Sequence, residues 1–259
     1  MMTKKNFDVL LDSNEIKLAQ PIIDQAHKDD VKYIINVGTS LIESKNCIAL
    51  AQHYNAIFAA VGIHPNDITQ NWQSDIKELT KLIANKEKNK IIAIGECGID
   101  RHYPGYNLAQ QKDVFKAQIE LALEHNLALI VHTRDARDET LRVLEEFVGQ
   151  IKRGVIHCFS EDQSFANQVI SWDFFIGIGG IITYPKNNYL RDIVKQVGTK
   201  HIILETDAPF LPPQVMRGKQ NNPAQIKTIA EYIATLLDTQ FETIAEQTYT
   251  NSIQLFKLP

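Results

Sequence analysis

The sequence lacks the features that mark secreted, membrane-spanning and disulfide-bonded proteins. Its three cysteines, Cys47, Cys97 and Cys158, form no CxxC pair, and an odd number of thiols cannot all be joined in disulfides. No apolar stretch is long enough to act as a signal peptide or to span a bilayer. We therefore expect a soluble protein of the reducing cytoplasm that has no membrane partner.

An excess of basic residues is also missing. The chain has 27 Lys and Arg against 31 Asp and Glu, which gives a formal net charge of -4, and its pI is about 6.1. Basic residues adjoin only in short pairs such as Lys4-Lys5 and Lys152-Arg153. This balance excludes a protein that coats nucleic acid through a broad basic surface, so a nucleic-acid substrate would be held by metal ions and local contacts.

A glycine-rich dinucleotide-binding turn is absent too, because the early strand ends in Val37-Gly38-Thr39 and not in GxGxxG. What the chain does contain is a regular alternation of strand and helix patterns. We predict eight strands, in the segments FDVLL (Phe7 to Leu11), YIINV, AIFAAVGIHP, IIAIGECGIDRHY, LALIVH, GVIHCFS, FFIGIGG and HIILETD. Such alternation indicates a parallel sheet, and the count and the length favour an α/β, (β/α)8 TIM-type barrel. We expect one metal-dependent hydrolase barrel domain over residues 1–259.

Four of the predicted strands deliver a residue that can bind a metal ion. These residues are Glu96, His132, His157 and Asp207. In a barrel of this kind the chemistry lies at the carboxyl ends of the strands, so we expect the four side chains to meet. A lone histidine at a strand end is more often a hydrogen-bonded structural residue. Four candidates at one edge nevertheless favour one or two divalent metal ions, namely Mg, Mn or Zn.

Two of these residues also suit a catalytic role. Glu96 could bridge two ions, and ions roughly 3.5–4 Å apart would stabilise both the attacking and the leaving oxygen of a phosphodiester. Asp207 could bind metal and accept the proton of the attacking water. We therefore predict Glu96 and Asp207 as the catalytic residues.

Five motifs in a fixed order point to a known family. They are GECGIDRHYP, IVHTRDA, VIHCFS, IGIGGIITYPK and LETDAPFLPP, the last followed by RGKQNNPAQI. With them, the sequence from about Phe7 to the C-terminus resembles the TatD-like metal-dependent deoxyribonuclease family of the amidohydrolase superfamily. The resemblance implies a (β/α)8 barrel, one or two divalent ions and hydrolysis of DNA phosphodiester bonds. It also implies that Glu96, His132, His157 and Asp207 are metal ligands and that His64 lies near the substrate phosphate.

The sequence departs from that family at its front. The family typically ends the first strand in a D-[ST]-H-x-H-L pattern, whereas the matching stretch here is DSNEIKL, with Asn14 and Ile16 at the two histidine positions. An amide oxygen is a weak ligand, and an isoleucine side chain has no lone pair to offer. We therefore expect one ion to be held firmly, by Glu96, His132 and His157, and a second ion weakly or not at all.

Several further residues are candidates for contact with substrate. We predict that His64, Arg134 and Arg217 bind substrate, with ordinary surface pairing as the alternative for the two arginines. Tyr103 and Tyr184 could stack on bases, although aromatic loop residues often serve only packing.

The preferred interpretation is a metal-dependent deoxyribonuclease that cleaves DNA phosphodiester bonds with a metal-activated water. One alternative is a hydrolase of the same superfamily that acts on a small amide or ester, because metal-activated water attacks carbonyl and phosphoryl centres alike. Another is a non-catalytic remnant with an incomplete metal site. DNA is the expected partner, as substrate, and no obligate protein partner is evident.

Overall fold

The computed structural model describes residues 9–259 and shows an α/β protein. Its strands lie in chain order in one seven-stranded sheet. The strands are β1 (Ile34–Val37), β2 (Ile57–Val61), β3 (Ile91–Asp100), β4 (Ala128–Arg134), β5 (Gly154–Ile156), β6 (Phe175–Ile178) and β7 (Ile202–Leu204). The pairs β1–β2, β2–β3, β3–β4, β5–β6 and β6–β7 are parallel, as predicted.

Helices alternate with the strands, as the sequence pattern predicts. They are α1 (Ser13–Lys17), α2 (Gln20–Lys28), α3 (Leu41–His53), α4 (Trp72–Ile83), α5 (Lys86–Asn89), α6 (Leu108–Glu124), α7 (Arg137–Glu145), α8 (Gln163–Ser171), α9 (Asn188–Val197), α10 (Ile226–Leu236) and α11 (Phe241–Phe256). Within residues 9–259, no helix combines the length and the apolar character that a bilayer crossing requires.

The chain divides into two compact units. The described residues of the first unit are 9–18 and Tyr33–Gly154, and the second unit comprises Ala19–Lys32 and Val155–Pro259. Strands β1 to β4 belong to the first unit, β6 and β7 to the second, and β5 starts at the boundary. The single domain expected over residues 1–259 stays a prediction.

The core of the first unit forms where helix α6 packs against strand β3. The apolar stripe predicted for α6 is buried, with Val114, Phe115 and Ile119 at most 1% exposed. Burial of side chains of this size contributes about 1.5–3 kcal/mol each to stability. The same helix buries two glutamines, Gln111 and Gln118, whose side-chain amides hydrogen-bond the backbone of Asp100 and Ile63.

The second unit has a core of its own around β6 and β7. Phe165, Ile176 and Ile229 are fully buried. Helix α11 is fixed to the end of β7 by Asn251, whose amide donates hydrogen bonds to the carbonyls of Thr199 (2.8 Å) and Ile202 (2.7 Å).

The predicted first strand, Phe7 to Leu11, is not a strand in its described part. Phe7 and Asp8 lie outside the described residues, and residues 9–11 have no strand conformation. Asp12 instead caps helix α1 in a capping box, in which its carboxylate accepts from the amide of Glu15 and the Glu15 side chain accepts from the amide of Asp12. Asn46 on α3 hydrogen-bonds the backbone of residues 9 and 11 at 3.0 and 2.9 Å. A helix cap therefore replaces the expected strand end.

The apolar run of the fourth predicted segment ends at Gly95-Glu96, which suggested a strand tip there, but strand β3 continues to Asp100 and is irregular at Gly95. Ile94 pairs with Leu129 and Cys97 pairs with Val131, so Gly95 and Glu96 together face a single residue of β4. Gly95 has a φ of +146, and a Cβ there would lie 2.6 Å from the side chain of Ile130, so only glycine fits. Such a bulge changes the direction of a side chain, and it places Glu96 within the strand and not at its tip.

Candidate metal centre

Three side chains that can bind a metal ion converge in the first unit. His64 follows β2, Glu96 lies at the bulge of β3, and His132 lies in β4; one ligand atom of each is within 4.8 Å of the others. Nδ1 of His132 is 2.8 Å from Oε1 of Glu96, and Nε2 of His64 is 3.6 Å from the same oxygen. We call His64, Glu96 and His132 the first cluster.

The backbone around the first cluster is held by hydrogen bonds from neighbouring elements. The amide of Glu96 donates to the carbonyl of Gly38 (3.1 Å), and the amide of His64 donates to the carbonyl of Thr39 (2.8 Å). Gln118 accepts from the amide of Ile63 (2.8 Å) and donates to its carbonyl (3.0 Å). These bonds fix the segment that follows β2 and the bulge of β3.

A buried carboxylate, that of Asp100, lies beside Nε2 of His132, the ring nitrogen that faces away from Glu96. We call such a partner of a histidine its outer carboxylate. Nε2 of His132 lies 3.1 Å from Oδ2 of Asp100, which is 1% exposed. Burial by itself raises the pKa of Asp100, but hydrogen bonds from His132, the His102 amide and Asn66 lower it to about 2. Asp100 is placed to accept the Nε2 proton of His132, and this tautomer would leave the Nδ1 lone pair facing Glu96, ready for a metal ion.

A buried glutamine locks the backbone at Asp100. Gln111 on α6 accepts from the amide of Asp100 (3.1 Å) and donates to its carbonyl (2.9 Å). Because the side-chain amide of Gln111 binds both the N–H and the C=O of Asp100, the backbone of Asp100 has little freedom to move. Helix α6 therefore sets the position of Asp100 and hence that of the His132 ring.

His64 differs from His132 in the direction of its hydrogen bonds. The backbone amide of Asn66 donates to Nδ1 of His64 (3.1 Å), so this nitrogen accepts and the neutral ring carries its proton on Nε2. The Nε2 proton faces the Glu96 carboxylate. The geometry therefore suits His64 to donate a hydrogen bond to an oxygen, whereas it suits His132 to ligate.

The donors of the first cluster fit a divalent metal ion. Carboxylate oxygen and imidazole nitrogen are the ligands that zinc and manganese accept, and the side chains of Glu96 and His132 are only 14% and 17% exposed. Glu96 and His132 would hold the ion, with His64 beside it.

A second group of candidates lies in the second unit, at the ends of β5 and β7. Nδ1 of His157 is 2.9 Å from Oε2 of Glu205, and the amide of Cys158 donates to Oε1 of the same carboxylate at 2.6 Å. Nε2 of His157 is 3.6 Å from Oδ1 of Asp207. We call His157, Glu205 and Asp207 the second cluster.

Local features of the chain make room for the second cluster. A Cβ at Gly177 of β6 would lie 2.3 Å from Oε2 of Glu205, so a side chain there would displace this carboxylate. Asp207 has a φ of 52, a left-handed conformation that costs a non-glycine residue roughly 1–2 kcal/mol. Asn221 holds this turn by donating to the carbonyls of Thr206 and Phe210, both at 2.6 Å.

The two predicted substrate arginines are exposed, and each lies over a tyrosine ring. The guanidinium of Arg134 is 5.5 Å from the ring centroid of Tyr103 in the first unit, and that of Arg217 is 5.4 Å from the ring of Tyr184 in the second. The structure thus brings Glu96, His132 and His64 together in one unit and His157 with Asp207 in the other. The roles assigned to these residues stay predictions.

The two residues at the family's histidine positions and two of the cysteines lie in different surroundings. Asn14 is exposed on helix α1 and Ile16 is half-buried there, so neither lies at a strand end. Cys97 is fully buried, and burial raises the pKa of its thiol far above the usual range, in keeping with a small apolar residue. Cys158 is only half-buried, and its backbone amide donates to Glu205.

Sequence reasoning missed Asp100 and Glu205. Both acidic residues stand near a predicted ligand in the printed sequence, in GECGID and LETD. A metal-binding histidine usually donates its second N–H to a carboxylate, so a search for a partner of each histidine is the signal that could have found them.

Comparison with known proteins places the chain among metal-dependent hydrolases. The model of the TatD related DNase family matches residues 7–257. The uncharacterized metal-dependent hydrolase YabD of Bacillus subtilis is 34% identical, over 92% of this chain and 92% of that protein. The 3'-5' ssDNA/RNA exonuclease TatD of Citrobacter rodentium is 29% identical, over 96% of this chain and 97% of that protein.

A solved structure of a TatD homolog has the same fold. The crystal structure of YJJV, a TatD homolog from Escherichia coli, aligns with a TM-score of 0.88 and 26% identity, over 96% of this chain and 95% of that one. This likeness confirms the predicted α/β, TIM-type barrel class.

Proposed function

Because the chain belongs to the TatD-related DNase family and is a metal-dependent hydrolase, we propose that it hydrolyses phosphodiester bonds of DNA, at ends or in single strands. The observation that carries the proposal is the first cluster, in which a histidine with an ionised outer carboxylate meets Glu96 at 2.8 Å. The name of one relative, a 3'-5' ssDNA/RNA exonuclease, supports a nucleic-acid substrate.

The proposed metal ligands are Glu96 and His132 in the first unit and His157 and Asp207 in the second. One or two divalent ions, Mg, Mn or Zn, would supply positive charge that stabilises a phosphoryl oxygen and makes water more acidic. Asp100 keeps the His132 ring turned for this role by accepting its Nε2 proton. Glu205 does the same for His157 by accepting from Nδ1.

His64 takes part as a hydrogen-bond donor in this proposal. Its Nδ1 accepts from the amide of Asn66, so the Nε2 proton is directed at the position where a substrate oxygen would approach Glu96. A preorganised donor of this kind stabilises charge that develops on a phosphoryl oxygen.

Asp207 is proposed to accept the proton of the attacking water. Its side chain is 28% exposed, so water reaches the carboxylate. The Asn221 hydrogen bonds hold the backbone on both sides of Asp207, and so fix the left-handed turn that carries this carboxylate.

The test is an assay of purified protein with a 5'-labelled single-stranded DNA, a phosphodiester dye and a panel of small amides and esters. We expect shortening of the DNA that stops in chelator and returns with Mn or Mg. Hydrolysis of an amide or ester with no cleavage of DNA would contradict the proposal and favour the small-substrate alternative. No turnover together with no bound metal would favour a non-catalytic remnant.

A reducing cytoplasmic setting is part of the same proposal. Within residues 9–259 no disulfide forms, and Cys47, Cys97 and Cys158 are all thiols. Thiols persist in compartments that keep them reduced.

A further inference from the structure

An exposed tyrosine and an arginine lie together just beyond the first cluster. In the pairing of β3 with β4, Gly98 faces His132 and Asp100 faces Arg134. His132 and Arg134 are two residues apart in one strand, so their side chains leave the same face of the sheet. Arg134 is therefore the next side chain after a cluster residue, beside the carboxylate that holds the His132 ring.

Tyr103 is supported on two sides and remains open on the rest of its surface. The guanidinium of Arg134 lies over its ring at 5.5 Å from the centroid. The ring of His102 meets it edge-on, with centroids 5.1 Å apart and an interplanar angle of 84°. Tyr103 is nevertheless 53% exposed. A large aromatic ring that is both held in place and exposed is a surface prepared for stacking.

The charges around this pair leave Arg134 available to an anion. Nη1 of Arg101 lies 2.7 Å from Glu139, and Nδ1 of His102 lies 2.9 Å from Asp135, so the neighbouring carboxylates are already paired. Within the part of the chain that the structure describes, Arg134 forms no ion pair. Its exposed guanidinium can therefore bind an oxygen of a phosphate in bidentate fashion.

We propose that Tyr103 and Arg134 form a subsite for one unstacked nucleotide of the substrate, with the base stacked on Tyr103 and its phosphate bound by Arg134. This inference rests on the proposed function. Bases in a duplex are paired and stacked on their neighbours, so the subsite selects single-stranded segments and frayed ends. It also supplies the local contact that a chain with a net charge of -4 needs.

The experiment measures binding of a labelled single strand whose phosphorothioate linkages resist cleavage, by fluorescence anisotropy. We expect Tyr103→Ala to raise the Kd roughly ten-fold and Tyr103→Phe to change it less than about two-fold, since the aromatic ring suffices for stacking. Tyr249→Ala is the matched control, because Tyr249 is 40% exposed and lies 5.1 Å from the ammonium of Lys32. We expect no change in that variant.

A strand with abasic sugars separates stacking from charge. It should bind wild type and Tyr103→Ala equally, because neither can stack on a missing base. Arg134→Ala should weaken the binding of both strands. It should also reduce the slope of log K against log salt concentration by about 0.7, the value for one phosphate contact on a single strand. Arg134→Lys should restore that slope.

The outcomes distinguish this inference from the proposed function. DNA cleavage by the wild type with unchanged binding by Tyr103→Ala overturns the subsite and leaves the function standing. Binding that depends on Tyr103 and on the base, without any cleavage, supports the subsite and overturns the function. A wild type that neither binds nor cleaves DNA overturns both.

Discussion

In each of the two clusters a histidine lies between two carboxylates, but the two ring nitrogens are exchanged between the first cluster and the second. In the first unit, Nε2 of His132 faces the buried Asp100 and Nδ1 faces Glu96. In the second unit, Nδ1 of His157 faces Glu205 and Nε2 faces Asp207. The outer carboxylate decides which nitrogen carries the proton, so it also decides which nitrogen faces a ligand.

The clusters differ in how complete they are. In the first cluster Glu96 and His132 meet at 2.8 Å with His64 beside them, and the carboxylate behind His132, that of Asp100, is buried and hydrogen-bonded by a backbone amide and by Asn66. In the second cluster Nε2 of His157 lies 3.6 Å from Oδ1 of Asp207, and the side chain of Asp207 is 28% exposed. We infer that the first cluster is built to hold an ion and that Asp207 is built to meet water.

The largest expected effect is at Asp207. We predict that Asp207→Asn lowers hydrolysis by roughly 10²–10⁴-fold, because the change keeps the shape of the side chain but removes the base. Asp238→Asn is the matched control, since Asp238 also has a positive φ of 51 and is exposed. Asparagine tolerates this backbone conformation, so both variants should fold. Activity of Asp207→Asn within a few-fold of wild type would exclude the proposed role.

The comparison of the outer carboxylates gives the next largest effect. We predict that Asp100→Asn weakens metal binding by about 10–100-fold, since the outer partner of a ligating histidine sets its orientation and basicity. Glu205→Gln should leave the affinity of the first cluster unchanged, because its partner is His157. Titration calorimetry with Mn or Zn measures both. Equal losses in the two variants would mean that the clusters are not independent.

A smaller effect concerns stability in acid. The folded pKa of Asp100 is about 2, below its ordinary value of 3.8. The unfolded chain therefore binds this proton first, and stability that is present above pH 4 is lost as the pH falls towards 2. Urea unfolding should show a smaller loss between pH 5 and pH 2.5 for Asp100→Asn than for wild type. Parallel curves would contradict the low pKa.

Much of the fold could be predicted from the sequence because strands and helices leave local patterns. Seven of the eight predicted strand segments contain a strand, and Glu96, His132, His157 and Asp207 lie in or just beyond four of them. The pattern of Phe7 to Leu11 was misleading, because the capping box of Asp12 and Glu15 starts a helix directly afterwards. Local apolar content says little about a segment whose polar neighbours form a cap.

The roles of Asp100 and Glu205 could not be predicted in the same way. Asp100 reaches His132 only through the register of β3 against β4, and that register is shifted by the bulge at Gly95. Glu205, just beyond the end of β7, reaches His157 across 48 residues of sequence, through space that Gly177 leaves open. Contacts of this kind depend on pairing between strands, which periodicity does not record.

The measurement that tests the central claim most directly is the number of divalent ions retained per chain after dialysis, by elemental analysis of wild type and Glu96→Gln. Glu146→Gln serves as control, because Glu146 is an exposed partner of Lys116. We predict about one ion per wild-type and control chain and almost none in Glu96→Gln, since the first cluster loses its carboxylate ligand. Two firmly held ions in the wild type, or an unchanged ion count in Glu96→Gln, would contradict the claim that the first cluster is the metal centre.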